Sequence, residues 1–141
     1  MPTLSVITVT LNARDSIEDT LRSIQSQKSD DVEYLVVDGC STDGTSEILK
    51  KYVSIIDVFI SEPDSGLYDA MNKGIDASSG RYFCFLNAGD WYTEGALTTV
   101  VEKLRHDAPD ILYGNLVYVE SDGRVCRLWK PGIFQDRKLR K

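Results

Sequence analysis

Polar and small residues follow three apolar segments of this sequence, at the points where buried strands would end. The clearest case is FCFLNAGDWY (Phe83–Tyr92), where an apolar run gives way to a single carboxylate followed by two large aromatic residues. Asn, Asp and Gly also form ordinary turns and helix caps, which is the simplest interpretation of any one end. Three such ends together favour a binding site, and their residues are Thr10, Asn12, Asp38, Gly39, Asn87 and Asp90.

Asp90 is the residue best suited to chemistry. Mg²⁺ or Mn²⁺ needs only one or two carboxylates when the phosphates of a ligand supply other oxygen ligands. A transition-metal site built from histidines is excluded, since His106 is the only histidine. Nucleophilic catalysis is disfavoured because the chain lacks a G-x-S-x-G motif and Cys84 lies within an apolar run, as a small core residue would. We therefore predict a divalent cation at Asp90 that neutralises a diphosphate.

The segment GCSTDGTS (Gly39–Ser46) has the glycine spacing of a phosphate-binding P-loop, but Thr45 stands where that motif requires lysine. The dinucleotide-binding fingerprint G-x-G-x-x-G is missing from the chain, which argues against a dinucleotide-dependent enzyme. The favoured interpretation of this segment is local: Ser41, Thr42 or Asp43 caps free N–H groups at the start of the next helix.

Strand-like and helix-like apolar patterns alternate along most of the chain. The predicted strands are Leu4–Thr10, 33–38, 55–61 and 81–87. A helix with one apolar face follows each of them, so we predict an α/β fold with a mostly parallel sheet flanked by helices. In such sheets, ligands bind at the carboxyl ends of the strands. The segments 111–120 and 124–129 flank Asp122-Gly123 and predict an antiparallel hairpin. We expect residues 1–141 to form a single domain.

The composition is typical of a globular chain, with 42% hydrophobic and 27% charged residues among 141. No apolar run approaches the ~18 residues of a membrane span and the N-terminus lacks a secretion signal, so a cytoplasmic location is expected. The net charge of −6 argues against nonspecific nucleic-acid binding. The three cysteines show no C-x-x-C spacing, which predicts neither a disulfide framework nor a zinc site.

Four segments closely resemble family 2 glycosyltransferases with the GT-A fold: LSVITVTLNA, VVDGCSTDGT, SEPDSGLYDAMNKGI and FLNAGDWY, in this order. The resemblance spans residues 3–118 and is nearest to the bacterial branch that builds capsule, colanic-acid-like or O-antigen polysaccharides. It implies a Rossmann-like sheet, a nucleotide-sugar donor with UDP as the default nucleotide, Mg²⁺ or Mn²⁺ as cofactor, and inversion at the anomeric carbon. The implied acceptor is a polysaccharide or a lipid-linked sugar.

The resemblance also implies roles for individual residues by motif position. Asp90 would bind the metal, and Asn72 would support the site. The nucleotide-sugar would meet Thr10, Asn12, Asp38, Gly39, Met71, Asn72 and Asn87, of which the first three line the nucleoside.

Three positions depart from the common pattern of the family. The family often has a second carboxylate at position 39 and an arginine at position 71, both of which commonly meet the base, whereas this chain has Gly39 and Met71. Plain helix packing also explains Met71. Position 89, frequently the first acid of the metal motif, is Gly89. Strong selectivity requires buried polar groups that a wrong ligand leaves unpaired, and Gly39 and Met71 supply no such groups. We therefore expect less than about tenfold preference among UDP, GDP and dTDP.

In the family, the second half of the domain supplies the acceptor site and the general base, and this chain shows no matching base motif. Its later acids fit turn or surface positions better: Asp107, Asp110, Glu120, Asp122 and Asp136. Two hypotheses follow. The chain is the donor-binding part of a glycosyltransferase, or it is a non-catalytic nucleotide-sugar-binding module. We expect the 141 residues alone to bind a donor weakly, to transfer no sugar and to form homo-oligomers through apolar surface that the second half would cover.

The basic ending of the chain has two interpretations. Its charged residues are Arg137, Lys138, Arg140 and Lys141. A solvated tail is the simpler interpretation. The other is a weak contact with the inner face of a membrane, where anionic lipids attract basic segments.

Overall fold

Strands and helices alternate along residues 1–108, as the apolar periodicity predicts. The computed structural model describes residues 1–132, which divide into one unit ending at Ala108 and a second beginning at Pro109. The strands of the first unit are β1 (Leu4–Thr10), β2 (Val32–Asp38), β3 (Val58–Ser61) and β4 (Tyr82–Phe85). Its helices are α1 (Ile17–Gln25), α2 (Thr45–Lys51), α3 (Leu67–Ala77) and α4 (Ala96–Asp107), with a 3₁₀ turn at Val53–Ile55.

All four strands pair in parallel, in the order β3-β2-β1-β4. The chain therefore builds the sheet from β1 in one direction and then crosses back to add β4 on the other side of β1. Open parallel sheets bind ligands at the carboxyl ends of the strands beside such a reversal of strand order. The predicted α/β fold with a mostly parallel sheet flanked by helices is confirmed.

Two predicted strands are longer than the observed ones. β3 begins at Val58 rather than at residue 55, because Val53–Ile55 form the 3₁₀ turn. β4 ends at Phe85, although a hydrogen bond of 3.0 Å from the Leu86 N–H to the Ile7 carbonyl continues its pairing with β1.

Alternate side chains of β1 and β2 supply two apolar cores, one on each face of the sheet. The larger core packs against α1, α2 and α4, and contains Leu4, Val6, Ile17, Leu21, Ile24, Val32, Tyr34, Val36, Leu49, Tyr52, Leu86, Leu97, Val101 and Leu104. The smaller core packs against α3 and contains Ile7, Val9, Leu35, Val37 and Ala70. Because helices cover both faces, β1 and β2 are buried along nearly their whole length rather than at alternate residues.

A glycine allows α3 to approach the sheet closely. A Cβ atom at Gly74 would overlap with Cγ2 of Ile7 and would lie 3.5 Å from Cγ2 of Val37. Both of these side chains are buried in the smaller core. The distance between α3 and the sheet therefore depends on the missing side chain at this position.

The second unit contains an antiparallel hairpin, β5 (Leu116–Val119) and β6 (Val125–Trp129). Its turn is closed by a hydrogen bond of 2.8 Å from the Gly123 N–H to the Glu120 carbonyl, and Gly123 has φ +82°, a conformation that favours glycine. The predicted hairpin is confirmed, with a first strand that begins at Leu116 rather than at residue 111. The expectation of a single domain stays a prediction.

Within residues 1–132, every helix falls short of the length and apolar character that crossing a bilayer requires. The basic ending and Asp136 lie outside the described residues.

We expect Gly74→Val to destabilise the first unit. The added atoms overlap with Ile7 in a packed core, and overpacking costs about 1–3 kcal/mol, while valine gains only a few tenths of a kcal/mol in helix propensity over glycine. Urea unfolding measures the change in the free energy of unfolding. Gly114→Val is the control, because no atom of the described residues lies within 4 Å of a Cβ at that position. Equal unfolding free energies for the two variants would contradict the close packing of α3.

Candidate functional site

The carboxyl ends of the strands lie side by side at one edge of the sheet. Thr10, the last residue of β1, pairs with Asp38, the last residue of β2, and Asp38 pairs with Ser61 at the end of β3. The Gly39 N–H donates a hydrogen bond of 3.0 Å to the Thr10 carbonyl, so the pairing continues into the loop after β2. The residues predicted at the ends of β1 and β2 are therefore neighbours in space.

Asp38 is fully buried, and its carboxylate is engaged by the protein itself. Its Oδ1 accepts a hydrogen bond from the Ser41 hydroxyl. Its Oδ2 accepts one from the Ser41 N–H at 3.1 Å and one from the Ser61 hydroxyl at 3.0 Å. These donors satisfy a carboxylate that would otherwise be costly to bury. Asp38 thus holds the loop after β2 in place, and its implied role in lining the nucleoside stays a prediction.

Asn12 joins the loop after β1 to the loop after β2. Its Oδ1 accepts a hydrogen bond from the Thr42 N–H at 2.9 Å, and its own N–H donates to the Ser41 hydroxyl oxygen at 2.8 Å. Asn12 has φ +52°, a left-handed conformation that asparagine tolerates better than most residues. The two loops therefore form one connected wall at the carboxyl edge.

Asp43 has the local role that the sequence predicts for Ser41, Thr42 or Asp43. Its Oδ1 accepts a hydrogen bond of 2.9 Å from the N–H of Thr45, the first residue of α2. Its Oδ2 accepts one of 2.9 Å from the Arg14 N–H. The hydrogen bond from the Thr45 hydroxyl, together with these backbone donors, lowers the pKa of Asp43 below its ordinary value. The glycine-containing segment is thus stabilised by hydrogen bonds within the protein.

The NAGD segment after β4 forms a tight turn that presents Asp90. The Asp90 N–H donates to the Asn87 carbonyl at 3.0 Å, and Gly89 has φ +97°. Residues with a side chain rarely adopt this conformation, which the third position of a type II turn requires. An acid at position 89 would therefore be strained, and the glycine follows from the geometry of this turn.

Thr20 of α1 holds the same turn through two hydrogen bonds. Its hydroxyl oxygen accepts from the Gly89 N–H at 3.0 Å, and its hydroxyl donates to the Asp90 carbonyl at 2.8 Å. Thr20 is fully buried, so both bonds are shielded from water. The backbone of Asp90 is therefore fixed from α1, while its side chain is exposed.

Sequence reasoning missed Thr20 and two further polar residues of the segment that begins with α1. Ser23 accepts a hydrogen bond from the Tyr92 N–H at 3.3 Å, and Gln27 accepts one from the Leu97 N–H at 3.2 Å. These three residues are spaced by three and four positions, which places them along one side of a helix. This polar stripe could have indicated a contact between α1 and another part of the chain. It does not indicate which loop is contacted.

Two buried polar atoms at the ends of neighbouring strands have no hydrogen-bond partner within residues 1–132, Oγ1 of Thr10 and Oδ1 of Asn87. An unpaired buried polar atom costs about 1–3 kcal/mol, so a ligand that supplied a partner would recover this free energy. The Asp90 carboxylate is exposed and forms no hydrogen bond or ion pair with another described residue. Unused polar groups thus collect where the strand order reverses.

Met71 and Asn72 occupy different environments on α3. Met71 packs against the smaller core, which supports the interpretation that it is a packing residue. Asn72 is exposed. Their implied contacts with the nucleotide-sugar stay predictions.

Metal binding is limited by the small number of ligands. Among the described residues, no group of three or more His, Cys, Asp or Glu side chains could hold a metal ion. A single exposed carboxylate at Asp90 suits Mg²⁺ or Mn²⁺ when phosphate oxygens of a ligand complete the coordination. The residues therefore fit a cation that binds together with a diphosphate.

A chain of hydrogen bonds positions the end of β4 relative to β1 and β2. The Tyr34 hydroxyl donates to Oγ1 of Thr8 at 2.9 Å, and the Thr8 hydroxyl donates to the Leu86 carbonyl at 2.7 Å. Tyr34 and Thr8 are fully buried, and burial raises the pKa of Tyr34 to about 12. Because Leu86 directly precedes Asn87, this chain fixes the start of the site-forming turn.

A parallel sheet with unused polar groups at a reversal of strand order is the arrangement at which open α/β domains bind their ligands. The family model described as Glycosyl transferase family 2 matches residues 5–141. The chain belongs to glycosyltransferase family 2, as its four sequence segments suggest.

One relative is the putative teichuronic acid biosynthesis glycosyltransferase TuaG of Bacillus subtilis (strain 168). It is 42% identical over 125 residues, which cover 86% of this chain and 50% of TuaG. The chain thus spans about half the length of this relative.

Two solved structures share the fold. The crystal structure of S. aureus TarS 1-349 in complex with UDP-GlcNAc has a TM-score of 0.70 and 25% identity, covering 77% of this chain and 32% of the TarS 1-349 chain. The mannosyltransferase PcManGT from Pyrobaculum calidifontis, in complex with GDP-Man and Mn²⁺, has a TM-score of 0.66 and 26% identity, covering 84% of this chain and 36% of PcManGT.

We expect the buried Tyr34 to make stability fall at alkaline pH. Folding raises its pKa from 10.0 to about 12, so the folded state holds a proton that the unfolded state releases. The stabilisation is complete below pH 10 and is lost as the pH rises towards 12, up to about 3 kcal/mol. Tyr34→Phe should lose stability at neutral pH through the missing hydrogen bond but should show a smaller alkaline decrease. Urea unfolding at pH 8, 10 and 12 tests this, with the exposed Tyr68→Phe as control. Parallel pH profiles for wild type and Tyr34→Phe would contradict the prediction.

Proposed function

We propose that this chain carries the donor-binding site of an inverting, metal-assisted glycosyltransferase that uses a nucleotide-diphosphate sugar. The observation that carries the proposal is the set of unused polar groups at the carboxyl edge: Oγ1 of Thr10, Oδ1 of Asn87 and the exposed carboxylate of Asp90. A ligand with hydroxyl groups and a cation-bound diphosphate offers a partner to each kind of group. Family membership and the nucleotide-sugar complexes of TarS and PcManGT support the same ligand class.

Asp90 would hold the cation, for which we favour Mg²⁺ or Mn²⁺. When bound, such a cation stabilises the negative charge of a departing diphosphate. The protein's own contribution is to keep the carboxylate in place. Thr20 fixes the backbone of Asp90, and the tight turn at Gly89 fixes its direction. The Mn²⁺ in the PcManGT complex supports the choice of a divalent ion.

The nucleotide would lie along the edge from β4 to β2. Thr10 and Asn87 would form hydrogen bonds with the ligand at the reversal of strand order. Asp38 and Asn12 hold the neighbouring loops through their own hydrogen bonds, so they would shape the nucleoside site mainly by positioning backbone. Rigid positioning of this kind is valuable because reactions are sensitive to small displacements of the bound substrate.

The acceptor would be a polysaccharide or a lipid-linked sugar, a choice supported by the teichuronic acid biosynthesis named for TuaG. Inverting transfer also needs a general base close to the attacking hydroxyl. We assign this role to none of the residues 1–132, since their acids beyond β4 match no base motif.

The metal role of Asp90 can be tested by nucleotide binding. We expect wild type to bind UDP at least tenfold more tightly with Mn²⁺ than with a chelator, a difference of about 1.4 kcal/mol. Asp90→Ala should remove this dependence because the cation loses its protein ligand. Isothermal titration calorimetry with UDP measures both affinities. Asp76→Ala is the control, because it also removes an exposed acid but one that lies on α3, away from the turn of Asp90. Equal UDP affinities with Mn²⁺ and with chelator in wild type would eliminate the metal role.

The unused hydroxyl of Thr10 generates a second test. Thr10→Val should keep or raise the free energy of unfolding without ligand, since it removes a buried unpaired polar atom. The same change should weaken UDP binding by about 0.5–1.5 kcal/mol, the contribution of one hydrogen bond.

Thr8→Val is the matched control for Thr10→Val. Its hydroxyl already bonds to Leu86 and Tyr34, so removing it should reduce stability. Chemical denaturation and calorimetry give the two readouts. A Thr10→Val variant that is less stable but binds UDP normally would show that the hydroxyl serves the fold instead.

A further inference from the structure

The segment that joins Asp90 to α4 depends on another element for its conformation. Residues 91–95 belong to no helix or strand, and Trp91 is 46% exposed. The segment ends in a turn, closed by a hydrogen bond of 3.1 Å from the Ala96 N–H to the Thr93 carbonyl. Fixing such a backbone carries an entropic cost, so groups outside the segment must hold it in one conformation.

Ser23 of α1 holds the middle of this segment. Its hydroxyl donates a hydrogen bond of 2.8 Å to the Thr20 carbonyl, and its oxygen accepts one of 3.3 Å from the Tyr92 N–H. A serine hydroxyl has one proton, so the bond to Thr20 directs that proton into α1 and leaves the oxygen as an acceptor for Tyr92. The orientation of the Ser23 hydroxyl is therefore set by its own helix.

Gln27 caps α4 from outside that helix. The residue at the N-cap of α4 is Gly95, which has no side chain, and Leu97 is the second residue of the helix. The first N–H groups of a helix lack partners within it. Oε1 of Gln27 accepts a hydrogen bond of 3.2 Å from the Leu97 N–H, and Nε2 donates one of 3.1 Å to the Ser23 carbonyl. The second bond fixes the amide so that its oxygen faces α4.

The polar stripe of Thr20, Ser23 and Gln27 thus holds the backbone before, within and after residues 91–95. Thr20 bonds to the Asp90 carbonyl, which lies at the beginning of the segment. Without Ser23 and Gln27, the chain that leaves Asp90 would be held from α1 at that one end only. The exposed carboxylate of Asp90 is carried by this backbone, so its freedom of movement depends on all three contacts.

The stripe also relates the acidic turn to the loop after β2, because the residues before α1 are bonded to that loop. The Ala13 N–H donates to Oγ1 of Thr45 at 2.9 Å, and the Arg14 N–H donates to Oδ2 of Asp43 at 2.9 Å. The N–H of Ile17, the first residue of α1, donates to the Ala13 carbonyl at 2.9 Å. α1 is therefore tied to one side of the candidate site at its start and to the other side along its length.

We propose that Ser23 and Gln27 are positioning residues for the cation at Asp90. This inference rests on the proposed function, because it requires a cation that joins Asp90 to a diphosphate. Neither residue would touch the cation or the nucleotide. A carboxylate on a loose segment must become ordered when a cation binds, and this ordering reduces affinity. The two side chains supply the order in advance, so the cation-dependent part of nucleotide binding depends on them.

The test uses one double variant and a matched control. Ser23→Ala combined with Gln27→Met deletes both acceptors and keeps side chains of similar size. The control makes the same two exchanges at exposed neighbours, Gln25→Met combined with Ser26→Ala. The Ser26 hydroxyl donates to the Ser23 carbonyl, so the contact that the control removes stays within the region of α1.

Isothermal titration calorimetry of the full 141-residue chain measures UDP affinity with Mn²⁺ and with a chelator. We expect wild type and the control to bind UDP at least about tenfold more tightly with Mn²⁺. The double variant of Ser23 and Gln27 should lower this ratio by at least about threefold, since it loses two hydrogen bonds that act through a loop. Thermal unfolding shows that each protein is folded at the temperature used. A merely structural role would lower the unfolding temperature without changing the ratio.

Trp91 reports on the segment without any ligand. Trp91 and Trp129 are the two tryptophans of the chain, so Trp129→Phe, introduced into all three proteins, leaves Trp91 as the single fluorophore of this type. Acrylamide quenching of Trp91 should increase in the double variant of Ser23 and Gln27, because a released segment exposes the indole more often. The control should retain the quenching of wild type.

The outcomes separate this inference from the proposed function. Unchanged Trp91 quenching in the double variant would show that the two side chains do not hold the segment, and this overturns the inference. Increased quenching with an unchanged ratio of affinities also overturns it, because the hold then does not reach Asp90. In both cases a wild type that binds UDP in a Mn²⁺-dependent way leaves the proposed function intact. A wild type without Mn²⁺-dependent binding rejects the cation role itself and, with it, the positioning of a cation.

Discussion

The pairing of β1 along both of its edges is the constraint on which the rest of the structure depends. β1 is buried over its whole length, lies between β2 and β4, and contributes residues to both cores. Buried backbone N–H and C=O groups must be paired, so this strand cannot shift its register without breaking bonds on two sides. That register places Thr10 beside Asp38 and Phe85 beside Ile7. The loops of the candidate site begin from these positions.

The protein uses polar groups at the carboxyl edge in two ways. Asp38 and Asp43 are satisfied by hydrogen bonds within their own loop and by donors outside it, Ser61 and Arg14, and therefore build the site. Within residues 1–132, Oγ1 of Thr10, Oδ1 of Asn87 and the carboxylate of Asp90 have no hydrogen-bond partner and therefore remain available to a ligand. Unpaired buried atoms reduce stability, and such costs are commonly found where a protein must bind something else. The distinction depends on hydrogen bonds between loops, which residue types alone do not show.

Much of the fold could be predicted from the sequence because its strongest signals are local. The segment LSVITVT of β1, which is rich in β-branched residues, and the spacing of Ile17, Leu21 and Ile24 in α1 each identify one element. The prediction of β3 began too early, at residue 55, because the apolar pair at 55–56 fits the start of a strand as well as the end of the 3₁₀ turn Val53–Ile55.

The contacts that complete the site were harder to predict, because they join residues far apart in the chain. Thr20 meets Gly89 and Asp90, which follow it by 69 and 70 positions. The helical pattern shows which face of α1 is buried but not which loop its polar residues hold. Similarly, the closeness of Asp64 to Gly39 depends on how two loops converge, and glycine at position 39 gives no sign of its neighbour.

The long sequence separation between Thr20 and the turn has a consequence for folding. Contacts between distant parts of a chain carry a high entropic cost of loop closure and tend to form late. The turn that presents Asp90 can be held by Thr20 only after β4 has joined the sheet beside β1. A chain that has emerged only as far as β3 therefore has the loops of Asn12 and Asp38 but lacks the acidic turn. Since a ligand stabilises only the state that it binds, a nucleotide engaging both parts would stabilise the completed sheet and not its separate segments.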